Sequence, residues 1–157
     1  MTGYDKALPM NTGAEAVETA IKAARKWGYK VKGIADGKAE ILVFENNFHG
    51  RTTTIVGFSS EAQYRDGFGP FTPGFRRLPY GDAAAVGRRC TRTSPPSWSS
   101  RSRARAASSS RRTAICRSLR EITERHNALL VADEIQSGLG RTGKMWAFEH
   151  EGIAPTS

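Results

Sequence analysis

"ALLVADEIQSGLGRTG", residues 128–143, decides the fold. Its opening residues, 128 to 132, are apolar without alternation. Such a run reads as a strand buried on both faces, which means a parallel sheet. Asp133 follows directly after it. In an open α/β sheet, ligands bind beyond the carboxyl ends of the strands. A carboxylate at that place can pair with a protonated ring nitrogen and hold it charged. Gln136 lies close enough in sequence to reach the same ligand. The plainer alternative is a helix-capping Asp133 beside a solvated Glu134.

Upstream, Ser118 and Glu121 have capping-box spacing, and Leu119 with Ile122 gives a short helix an inner face. "AEILVFEN", 39–46, is a second buried strand. Before it comes a clear helix. Thr12 and Glu15 form a capping box, Val17, Ala20, Ile21, Ala24 and Trp27 make an apolar stripe, and Gly28 is the expected stop. The β-branched residues of "GRTTTIVGFSS" leave its secondary structure open. "YRDGFGPFTPGFRRLPYGD", 64–82, reads as an ordered Gly/Pro-rich loop. Strands and helices in this order predict an α/β domain with a mostly parallel sheet and flanking helices. There is no internal repeat.

Two further stretches carry chemistry. Asn11, Thr12 and Gly13 stand where a loop enters a helix. Free N–H groups and the positive end of the helix dipole make an anion site there, and Gly13 lets a phosphate approach the backbone. An ordinary helix cap is the alternative. "NNFHGRT", 46–52, offers Phe48 or His49 to stack on a ring and Arg51 to grip a carboxylate through its planar fork. A surface histidine and a solvated arginine are the alternatives.

The 157 residues suffice for one domain with a real core. The formal net charge is +9, but nine arginines and no acid fall within residues 87–118, so the remainder is 9 − 9 = 0. The basic balance therefore belongs to one segment. Cys90 and Cys116, both in that segment, read as free thiols rather than a disulfide framework. No metal site is expected. No apolar run approaches the ~20 residues of a membrane span. "MTGYDKALPM" lacks the basic and apolar regions of a signal peptide, so the cytoplasm is the expected compartment.

"LPMNTGAEAVETAIKAARKWGY", "FENNFHGRTTTIVGFSS", "YRDGFGPFTPGF" and "LLVADEIQSGLGRTGKMWAFEHEGI" together resemble the class III pyridoxal-phosphate aminotransferases. The resemblance covers residues 4–81 and 118–154. "ARKWGYKVKGI" and "DGFGPFTPGF" favour the branch acting on ornithine over that acting on acetylornithine or other ω-amines. It implies a partial large cofactor-binding domain, residues 1–157, of a fold-type I enzyme that uses pyridoxal 5'-phosphate. It also implies that Thr12, Gly13 and Ala14 hold the phosphate, Phe48 stacks on the pyridine ring and Arg51 binds a substrate carboxylate. Asp133 then partners the ring nitrogen and Gln136 lies near the phenolic oxygen. The implied reaction moves the δ-amino group of ornithine to 2-oxoglutarate, in a homodimer or larger assembly. Neither Lys144 nor any earlier lysine matches the family's Schiff-base lysine, so this stretch is expected to be inactive alone.

"GRRCTRTSPPSWSSRSRARAASSSRRTAICRS", 87–118, departs from the family. An Arg/Ser tract raises nucleic-acid binding as a remote alternative, but Trp98 is its only aromatic and the flanks are neutral. As written the tract is expected to pack poorly, since like charges repel and large apolar residues are few. A frame shift accounts for it better. If one base is lost upstream, each true codon is the last base of one written codon plus the first two of the next. Trp98 and Ser99 then give GTC, valine, and the following pairs can give V-E-P-I-Q-G-E-G-G-V-V-V and P-P-D-G-Y-L as far as Cys116. Upstream, the same rule can give M-H-P-D-V-A-A-F-L. The family pattern has a strand ending in V-E-P-I-Q-G-E at this place, and the frame is restored near Ser118.

Overall fold

The computed structural model describes residues 4–90, 97–100 and 113–156. Helix α1 spans Gly13–Lys30, with Thr12 in extended backbone as its cap. The Thr12 hydroxyl accepts the Glu15 N–H at 3.2 Å, while the Glu15 carboxylate reaches back to the Asn11 N–H at 2.9 Å. The helix runs past the expected stop at Gly28, which is buried within it, and ends at Val31. Helical geometry costs glycine only entropy, so Gly28 weakens the helix without ending it.

Four parallel strands follow: β1 Ile41–Phe44, β2 Phe75–Leu78, β3 Ser97–Ser100 and β4 Leu130–Asp133. Their order in the sheet is β2-β1-β3-β4. All four residues of β1 are buried, as the apolar run predicts. Short helices α2, Thr53–Gly57, and α3, Ala83–Arg89, and the longer α4, Thr113–Arg125, join them. Two core clusters result, one on each face of the sheet. Val17, Ile21 and Ala24 of α1 pack on Ile41 and Val43. Val86 of α3 and Ile115, Cys116 and Leu119 of α4 pack on Leu42, Phe44 and Leu130. Cys90 and Cys116 are both buried.

Three expectations need correction. The stretch read as one loop, 64–82, contains strand β2. Arg76 and Arg77 hid it, but β2 borders β1 alone among the described strands, and Arg76 pairs with Glu40 at 2.8 Å. Ser118 does not begin a helix; it lies inside α4. The Arg/Ser tract, expected to pack poorly, supplies β3 and the first turn and a half of α4. Residues 91–96 and 101–112 of it lie outside the described residues.

Candidate active site

Three segments meet at the carboxyl ends of β1 and β4. Asp133 is the last residue of β4 rather than the first after it. Its side chain is buried, and both oxygens are engaged: Oδ2 lies 2.5 Å from His49 Nδ1, and Oδ1 accepts the Ile135 N–H at 3.1 Å. A carboxylate can only accept, so Nδ1 carries the shared proton. His49 is accordingly neither a surface histidine nor an exposed ring; its side chain is fully buried. No local pattern signals this pairing, because the residues stand 84 positions apart.

The same segment orients its other members outward. Phe48 is 38% exposed and Arg51 is exposed, with the guanidinium 6.0 Å from the Phe48 ring centroid. Both line a cavity of about 420 Å³ whose far wall includes Tyr64 and Phe68. Gly50 adopts φ 127°, a conformation that disfavours side chains, and a Cβ there would stand 3.2 Å from the Ala14 Cβ. "NFHGR" thus packs directly on the start of α1. Thr52 reinforces the joint: its hydroxyl donates to Glu18 of α1 and accepts the Ile55 N–H that begins α2.

The start of α1 also touches the β4 loop. A Cβ at Gly13 would lie 2.8 Å from Ile135 Cγ2. A side chain there would force Ile135 to move, a packing reason for glycine that the anion-site reading did not contain. The Gly13 and Ala14 N–H groups open the helix, where no intrahelical acceptor exists. Thr12 serves as an ordinary cap and keeps its hydroxyl proton to donate. Cap and anion site are therefore compatible. Gln136 is exposed on the loop after β4.

Glu134 is no solvated acid. One carboxylate oxygen accepts the Ser137 hydroxyl and the Ala147 N–H (3.1 Å), and the other accepts the Phe148 N–H (3.0 Å). These bonds fasten the loop after β4 to the 3-10 turn at Ala147–Glu151. Among the described residues, no helix is long and apolar enough to cross a membrane.

A parallel α/β sheet thus carries the start of α1 and the buried carboxylate of Asp133 together at one end. The class III aminotransferase model matches residues 1–97 and 108–156, and the chain belongs to that family. Ornithine aminotransferases are prominent among its relatives. The one from Brevibacillus brevis is 48% identical over 155 residues, 99% of this chain. Ornithine aminotransferase 2 of Staphylococcus aureus is 46% identical over the same share. The chain spans 39% of the length of each. In structure it overlays ornithine aminotransferase from Toxoplasma gondii with a TM-score of 0.92 at 37% identity, covering 98% of this chain and 37% of that one. Acetylornithine aminotransferase from Elizabethkingia anophelis gives 0.77 at 46% identity, covering 98% and 37%. The fold is that of the pyridoxal-phosphate aminotransferases.

Proposed function

We propose that this chain is part of the cofactor-binding domain of an enzyme that moves the δ-amino group of ornithine to 2-oxoglutarate, using pyridoxal 5'-phosphate. The observation that carries the reading is the buried Asp133–His49 pair at the end of β4, packed beside the start of α1. When bound, the cofactor supplies an electron sink for the carbanion formed on losing a proton.

The residues present fit that group. The N–H groups of Gly13 and Ala14 and the Thr12 hydroxyl would hold its phosphate at the positive end of α1. Asp133 would pair with the ring nitrogen and hold its proton. His49 holds the Asp133 carboxylate in place from behind. Phe48 would stack on the ring and Gln136 would lie near its phenolic oxygen. Arg51, exposed in the cavity beside Phe48, takes a substrate carboxylate through a two-point contact. The full-length protein acts as a homodimer or larger assembly in the cytoplasm.

A second reading, action on acetylornithine, is favoured by the 46% identity to the Elizabethkingia enzyme. The closer overlay on the Toxoplasma enzyme and the identities of 46–48% to bacterial ornithine aminotransferases favour ornithine. The test is kcat/KM of the full-length, frame-restored enzyme for each amine with 2-oxoglutarate as acceptor. Ornithine is expected to exceed N-acetylornithine; the reverse order would replace the first reading with the second.

A further inference from the structure

We infer that β3 is written in the wrong reading frame, and that the true strand carries Phe, Leu, Val and Glu where Ser97, Trp98, Ser99 and Ser100 stand. Strand β3 is central: it pairs with β1 on one side and β4 on the other. A central parallel strand, covered by helices on both faces, is normally a continuous apolar run. Its neighbours obey this, with "ILVF" in β1 and "LLVA" leading into β4. Ser97 is in register with Leu42 and Leu130, which belong to one core cluster. The written residues, Ser-Trp-Ser-Ser, break the apolar run that such a strand calls for.

The genetic code resolves the conflict. A base lost upstream leaves each true codon with the last base of one written codon and the first two of the next. Pro96 and Ser97 then give TTC, Ser97 and Trp98 give CTG, Trp98 and Ser99 give GTC, and Ser99 and Ser100 give GAG. The strand becomes Phe-Leu-Val-Glu, preceded by two alanines. The family model independently breaks off after residue 97 and resumes at 108. The residues thus depart from the family where the backbone still forms a strand of the sheet.

The shift alters the site as well as the core. Ser100 is the register partner of Asp133. Glutamate in its place puts a second acidic residue level with Asp133 at the carboxyl edge of the sheet. The written chain lacks that residue. This consequence rests on the functional reading above; the frame itself does not.

Reading the coding DNA of codons 87–118 tests the inference. The shift requires CCT at Pro96, TCG at Ser99, AGC at Ser100, and AGG at both Arg103 and Arg105. Those codons are expected. Resequencing the source DNA should then find the lost base near codon 89 and a compensating extra base near codon 117. A CGN codon at Arg103 or Arg105 destroys the decoded Gln or Glu and overturns the inference. The family assignment depends on residues 1–97 and 108–156, so such a result would leave it standing.

Discussion

Asp133 commits both oxygens to groups of this chain, His49 Nδ1 and the Ile135 N–H. That fixes where the carboxylate points and leaves its remaining lone pairs for a ligand. Removing its buried partner leaves an acceptor unsatisfied, which costs about 1–3 kcal/mol. In the full-length enzyme, His49→Leu should therefore lower the melting temperature and also reduce kcat. His49→Gln, whose amide can still donate, should recover part of both. A turnover unchanged in His49→Leu would mean that the histidine does not position Asp133. Arg51 differs in kind, because it is exposed and, in the proposed reading, grips a group that does not react. Arg51→Ala should raise KM for 2-oxoglutarate roughly 10–100-fold, the worth of a charge-assisted bond of about 1.5–3 kcal/mol, with kcat little changed. Steady-state kinetics separates the two parameters.

The elements meet through very small contacts. Gly13 at the head of α1 touches Ile135 after β4, and a methyl group there would come within 2.8 Å of Ile135 Cγ2. Gly13→Ala should destabilise the fold by about 1–3 kcal/mol through overpacking. Ile135→Ala in the same chain should relieve most of that loss, since it removes the opposing atoms. Thermal melts of the single and double variants measure the coupling, and additive losses would contradict it. Glu134 ties the 134–148 loop with three hydrogen bonds. Glu134→Ala should expose Arg141 and Lys144 to faster tryptic cleavage, and equal cleavage rates would refute the brace. Much of this level was legible in the sequence. The α1 cap, β1, β4 and the parallel sheet follow from capping spacing and unbroken apolar runs. Strand β2 was not legible, because Arg76 and Arg77 mask its pattern and its place beside β1 is a tertiary fact. The role of Glu134 was hidden because its partners at Ala147 and Phe148 lie beyond any local motif. His49 was misjudged for the same reason, its partner being distant in the chain.

Across the whole molecule, charge and packing agree on where the sequence is abnormal. Outside residues 87–118 the chain is neutral, as the subtraction of nine arginines from +9 shows. Within that tract, a serine-rich segment occupies an interior strand of the sheet, between β1 and β4. What remains is an aminotransferase scaffold in which Thr12–Ala14, Phe48–Arg51 and Asp133–Gln136 converge on one end. The central claim is that Asp133 holds a protonated ring nitrogen. It is tested most directly by kcat of Asp133→Ala in the full-length, frame-restored enzyme, with ornithine and 2-oxoglutarate and with bound cofactor quantified by absorbance. The account predicts a fall on the order of 1,000-fold, about 4 kcal/mol at ~1.4 kcal/mol per tenfold, with cofactor still bound. Near-normal turnover in the cofactor-loaded variant would contradict it.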